Sequence, residues 1–265
     1  MKQLENQTNE VVKNLYERKS VRVFEDRPVA PEDRLIILQA ACEAPTAGNQ
    51  QLYTILDITD PELKKRLSVT CDNQPFIASA PLILLFCADC QKWYDAFRSA
   101  GCSPKLPTAG DLMLAVEDSA IAAQNAVTAA WSLGIGSCYI GDIMESCETH
   151  RELLHLPPYV FPAVMVVFGY PTRQQQERTK PDRCPMDSIV MENTYRLMDG
   201  DALHRMLSHK SGHQSYEDWI TAFCNRKYNS DFSKEMGRSV GEYLREFLPP
   251  GYSGLNRDCK EPQKV

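Results

Sequence analysis

Residues 111–133, DLMLAVEDSAIAAQNAVTAAWSL, constrain the fold more than any other stretch of this chain. The run is rich in alanine, and after its opening aspartate its only charges are Glu117 and Asp118. Alanine loses no side-chain entropy in a helix. A helix that is small-sided and apolar on all faces is a buried one. The segment therefore predicts a long interior helix, packed either at the centre of one subunit or against a second copy. Gly134 supplies its C-terminal stop.

Other elements follow from periodicity. LYTILDIT (52–59) alternates like a half-buried strand, and PLILLFCAD (81–89) reads as a strand covered on both faces. FPAVMVVFGYP (161–171) is a valine-rich strand closed by Gly-Tyr-Pro. NEVVKNLYE (9–17) predicts a short helix with Val11, Val12, Leu15 and Tyr16 on one stripe. A second helix opens at Pro31, with Glu32 and Asp33 in its first turn and Leu35, Ile36, Leu38, Ala41 and Cys42 as its apolar face, and ends by Pro45. Further helices are expected at 61–67, after a capping Ser146, and at about 214–226 and 231–247. APTAGNQQ (44–51) is a loop of small and amide residues, and the chain from Pro249 onward reads as an irregular tail. With no internal repeat and no separating linker, the 265 residues are expected to form one α+β unit.

Composition narrows the function. The chain holds 29 basic and 35 acidic residues, a formal net charge of -6, which argues against nucleic acid as the main partner. Cys87 and Cys90 form the single C-x-x-C, without a second pair at zinc spacing, and no H-E-x-x-H occurs among the five histidines. No metal site is expected. The opening MKQLENQTNE has no apolar signal region, and the longest apolar run, 81–88, is too short to cross a bilayer. A cytoplasmic protein with reduced thiols is expected. There is no Walker phosphate loop and no G-x-S-x-G elbow, and GIGSCY (134–139) fails the dinucleotide fingerprint at its last glycine.

Two basic segments remain, far apart in the chain. ERKSVRVF (17–24) places Arg18, Lys19 and Arg22 around Ser20, and Arg178-x-Lys180-x-x-Arg183 follows the last strand. Arginine presents a planar fork to phosphate oxygens and serine adds a neutral donor, so the two could close on one anion. Either segment alone is also what a solvated surface carries.

Five motifs, in order, resemble the FMN-dependent nitroreductase family over about residues 10–195: RKSVRVF, APTAGNQQ, AAWSLGIGSCYIG, VVFGYP and KPDRCPMDSIV. The resemblance implies an α+β nitroreductase-like fold, dimeric, with a central mostly antiparallel sheet flanked by helices. It implies FMN as cofactor. Arg18 would grip the phosphate with Arg183 and Lys180. Lys19 and Ser20 would line the ribityl and pyrimidine side, and Arg22 would lie near N1 and O2 of the ring. Thr46 and Asn49 would hydrogen-bond the cofactor, in this family usually across a dimer interface, and the backbone of Tyr139, Ile140 and Gly141 would pass the N5 edge. The activity implied is hydride transfer from NAD(P)H through the flavin to a small acceptor such as a nitroaromatic or quinone. Other flavin chemistry on the same fold (reductive dehalogenation or flavin breakdown) and a non-catalytic flavin- or anion-binding module are the alternatives. Two departures stand out: Gln51-Leu52-Tyr53 replaces the family's Q-P-W, and Lys180-Pro181-Asp182-Arg183 is one residue longer than its K-x-R. Residues from about 196 to 265 form a helical extension of the same unit, expected to dock on the dimer or cover the flavin pocket.

Overall fold

Four strands, β1 (Tyr53–Asp57), β2 (Leu82–Asp89), β3 (Gly136–Ile140) and β4 (Val160–Gly169), pair antiparallel in the order β1-β2-β4-β3. The structure is a computed structural model describing residues 9–249. The helices in chain order are α1 (Glu10–Glu17), α2 (Pro31–Cys42), α3 (Pro61–Thr70), α4 (Pro75–Ala78), α5 (Gln91–Ser99), α6 (Ala109–Ser132), α7 (Cys147–Leu154), α8 (Arg173–Glu177), α9 (Gly200–Leu207), α10 (Tyr216–Lys227) and α11 (Asp231–Arg245). No described helix is long and apolar enough to cross a membrane. The tail expected from Pro249 lies, beyond Pro249 itself, outside the described residues.

The pleat of β2 explains why its sequence is apolar throughout. Leu82, Leu84 and Phe86 pack with Val166 and Phe168 against Ala122, Ala123, Ala126 and Ala130 of α6. Ile83, Leu85 and Cys87 point the other way, towards Leu67 of α3 and Ile77 of α4. Both faces of the sheet are covered, as a central strand with period-two side chains requires.

The alanine-rich helix begins with a capping box between Thr108 and Asp111. It ends in a Schellman arrangement: Gly134 N–H donates to Trp131 O at 3.0 Å and Ile135 N–H to Ala130 O at 2.9 Å, with Gly134 at φ 74. Ala115, Ala122, Ala123, Ala126 and Ala130 line the chain's own core. The opposite face leaves Met113 56%, Leu114 45% and Ile121 40% exposed.

Three local expectations are corrected. On α2 the buried residues are Ile37 and Ala41, while Leu35, Ile36 and Cys42 are exposed. The stripe on α1 is not core: Val11, Leu15 and Tyr16 are all exposed. Ser146 stands before α7 in the left-handed region at φ 51 and makes no side-chain cap, and its main-chain N–H donates to the carboxylate of Glu235 at 3.1 Å.

That contact belongs to the docking of α11. Ser239 accepts from Cys147 N–H at 2.9 Å and donates to Met144 O at 2.7 Å, while Arg238 grips Glu148 through both terminal nitrogens at 2.8 and 2.9 Å. Tyr243 is fully buried, edge-on to Phe161 at 5.0 Å. Between α8 and α11, by contrast, α9 and α10 bury no residue, and their aromatic side chains His204, Tyr216, Trp219 and Phe223 stack on one another.

Candidate functional site

The first basic segment is an extended strand-like edge laid beside the sheet. Ser20 bridges Ser137 of β3 in parallel, Val21 N–H donates to Ser137 O at 2.8 Å, and Phe24 bridges Pro171. Two glycines make the approach feasible. A Cβ at Gly136 would lie 2.5 Å from Val21 Cγ2, and one at Gly169 would lie 2.7 Å from Phe24 Cδ1. Both are below any tolerable carbon contact, so this edge docks only on glycine. Val21 is fully buried, and its neighbours Ser20 and Arg22 turn away from it.

The second basic segment is carried back to the first by β4 and α8. Lys19 donates its ammonium to Gln176 O at 2.6 Å and to Arg178 O. Arg178 donates to Ser20 O. Lys180 donates to Tyr16 O at 2.6 Å and Leu15 O at 3.2 Å, the free carbonyls at the end of α1. Burial pushes the Lys180 ammonium below the ordinary lysine range, and the cations of Arg183 and Arg18 push the same way. Arg18, Lys180 and Arg183 therefore share one neighbourhood despite 165 positions between Arg18 and Arg183.

The cations differ in what they have left to give. Lys19, Arg178 and Lys180 are taken up by main-chain carbonyls. Arg18 Nη1 is buried and has no hydrogen-bond partner among the described residues. None of Arg18, Arg22, Lys180 or Arg183 is ion-paired with a described carboxylate. A buried, unsatisfied donor costs about 1–3 kcal/mol and more when charged, so this arrangement calls for an anionic acceptor. The sequence does not distinguish Arg18 from Lys19; the carbonyls within reach do.

Beside this cluster runs β3. Burial pushes the Cys138 thiol up, against the opposing pull of Arg22, Ser20 and Arg18. Tyr139 donates its hydroxyl to Gln124 Oε1 of α6 at 3.1 Å, and burial pushes its phenol up to about 12. Ile140 is buried, and Gly141 opens a tight helical turn, Gly141–Met144, where a Cβ would meet no protein atom within 4 Å.

The amide loop lies elsewhere. It precedes β1, and β1 and β3 are opposite edges of the sheet, about 14 Å apart over three strand spacings. The loop that carries Thr46 and Asn49 leads into the β1 edge, whereas the Arg18 segment runs along β3. The loop is wound tightly, with Gly48 at φ 56, Asn49 at φ 57 and Gln51 at φ 52. Left-handed backbone costs an L residue roughly 1–2 kcal/mol. What holds it is Asp118 of α6, only 2% exposed, which accepts from the Thr46 hydroxyl, from Ala47 N–H at 2.9 Å and from Leu52 N–H at 3.0 Å. Asp118 was visible in the sequence only as a charge misplaced in an apolar helix.

Comparison with known proteins agrees with this architecture. The profile of the Nitroreductase family matches residues 15–170. The chain is 32% identical over 244 residues to an FMN reductase [NAD(P)H] of Bacillus subtilis, covering 91% of this chain and 94% of the relative. It is 35% identical over 230 residues to an oxygen-insensitive NADPH nitroreductase of Salmonella typhimurium, covering 87% and 90%. The NADPH:FMN oxidoreductase of Vibrio harveyi, solved in complex with NAD+, superposes with a TM-score of 0.76 at 25% identity, over 89% of this chain and 98% of that one. By the profile match and by both relatives, the chain belongs to the nitroreductase family.

Proposed function

We propose that this protein is an NAD(P)H-dependent FMN oxidoreductase working as a homodimer, with a small acceptor such as a nitroaromatic or quinone. The observation that carries the reading is the buried Arg18 Nη1, without a hydrogen-bond partner among the described residues, in a cluster of cations of which none is ion-paired with a described carboxylate. The phosphate of FMN suits that donor set in charge, and a guanidinium offers its oxygens a planar fork. When bound, FMN supplies the two-electron chemistry, and the protein binds, orients and tunes it.

The chain's residues divide the work. Arg18 and Arg183 hold the phosphate, and Lys180 adds charge while anchoring its segment to α1. Lys19 lines the ribityl side with its stem, since its ammonium is held by carbonyls. Ser20 and Arg22 face the pyrimidine side, where the guanidinium favours negative charge on the ring. The main chain of Tyr139, Ile140 and Gly141 borders the reactive edge, with open space at Gly141. No protein acid or base is required. Thr46 and Asn49 complete the site from the second subunit, because each chain keeps them on the edge remote from its own Arg18. The exposed apolar residues of α1 and α6 are the surface that such a dimer would bury. Residues 196–249 belong to the same unit through the docking of α11, and the free thiols of the described residues suit the reducing cytoplasm.

The test is direct. Purified protein should carry a yellow flavin that is released as FMN and bleached anaerobically by NADH or NADPH. Protein that stays colourless after incubation with FMN would refute the reading.

A further inference from the structure

Asp118, 2% exposed, stands under the 46–52 loop and accepts from Thr46, Ala47 and Leu52 at once. Thr46 in turn accepts from Gln51 N–H at 2.7 Å. The Thr46 hydroxyl has one proton, and Asp118 takes it. Its oxygen then serves the loop's own main chain. Asn49 differs: it is exposed, and its side-chain amide has no hydrogen-bond partner among the described residues. The loop's left-handed residues would relax without a fixed partner beneath them.

We propose that Asp118 is a positioning residue for the cofactor: it locks Thr46 and the loop main chain so that Asn49, and not the Thr46 hydroxyl, is presented to FMN. The inference rests on the FMN reading above. It makes Thr46 part of an internal lock and removes it from direct contact through its side chain. Preorganisation of this kind lowers the ordering cost that binding would otherwise carry.

The experiment measures FMN dissociation constants by flavin fluorescence quenching, with thermal unfolding of each apo-protein as the check on folding. Asp118→Asn keeps the shape but turns one acceptor into a donor facing N–H groups. It should weaken FMN binding by about tenfold or more, and by no more than about threefold when Asn49→Ala is already present, because both act through one contact. Thr46→Val should weaken binding, and Thr46→Ser, which keeps the hydroxyl, should recover most of the loss. If Asp118→Asn does not fold, the Thr46 pair decides the matter alone. The inference is overturned if Asp118→Asn and Thr46→Val bind FMN like the wild type. Losses that add fully to that of Asn49→Ala, or a Thr46→Ser variant as weak as Thr46→Val, overturn it too. Wild-type protein that takes up no FMN defeats the function reading instead, so the two failures are distinguishable.

Discussion

Lys180 donates its ammonium to the main-chain carbonyl of Tyr16 at 2.6 Å, tying the segment after the last strand to the end of the first helix. The contact is structural rather than ligand-directed, and it sets a ranking among the cations. Lys180→Ala loosens this segment without removing a direct phosphate partner, so FMN affinity should fall only roughly 2- to 10-fold, the equivalent of about one hydrogen bond. Arg18→Ala should cost more, about 30- to 1,000-fold, because it removes a charged partner of a partly buried phosphate. Titration of both variants checks the order; a Lys180 effect larger than that of Arg18 would invert the assignment.

Gly136 and Val21 allow a second prediction. Gly136→Ala brings a methyl to 2.5 Å from Val21 Cγ2 in the extended edge that carries Ser20 and Arg22. Overpacking of this sort costs about 1–3 kcal/mol. Both the melting temperature and FMN affinity should fall. Adding Val21→Ala should restore part of each. If the double variant is worse than Gly136→Ala in both measures, the close approach is not what the glycine serves.

Much of this was legible beforehand, and what was not has identifiable causes. The strand at 53–57 announces itself by alternation, and those at 82–89 and 160–169 by continuous apolar runs. β3 does not: GSCYI is short and small-sided, and its strand character comes from pairing with β4 and from the Ser20 bridge. On α2 the consecutive apolar residues Leu35, Ile36 and Ile37 point in three directions, and only the tertiary contact selects Ile37. The basic segments could be named from the sequence. That three of their cations serve main-chain carbonyls while Arg18 keeps a free donor depends on a crossing between residues more than 150 positions apart. The role of Asp118 was hidden for the same reason, since its loop partners lie 66 to 72 positions earlier.

Glu145 gives a pH dependence with a definite sign. Burial, with Asp142, Asp72 and Glu235 nearby, pushes its carboxyl from 4.5 up to about 7, and its Oε1 has no partner among the described residues. The folded state therefore prefers the protonated form. The stabilisation is complete below the unfolded value of 4.5, is lost as pH rises from there to about 7, and is constant above. Glu145→Gln, always neutral, should gain in melting temperature relative to the wild type across that window and hold the gain at higher pH. A difference that does not change with pH would remove Glu145 from the account.

The opposite-edge placement of Thr46 and Arg18 makes mixed dimers informative. A heterodimer of one Arg18→Ala and one Asn49→Ala subunit should contain one site with both defects and one with neither. It should bind one FMN at wild-type affinity and the second only weakly. If the two residues served the same site within a chain, both sites would be impaired and no tight binding would survive. Tagged co-purification followed by flavin titration separates the outcomes.

The central claim is that the two basic segments close on the phosphate of one FMN. The most direct measurement compares the dissociation constants of FMN and riboflavin, which differ by that phosphate, in the wild type and in Arg18→Ala. The wild type should prefer FMN by about 100-fold or more, and the variant should lose most of that preference while its riboflavin affinity stays nearly the same. An equal preference for FMN in both proteins would contradict the claim.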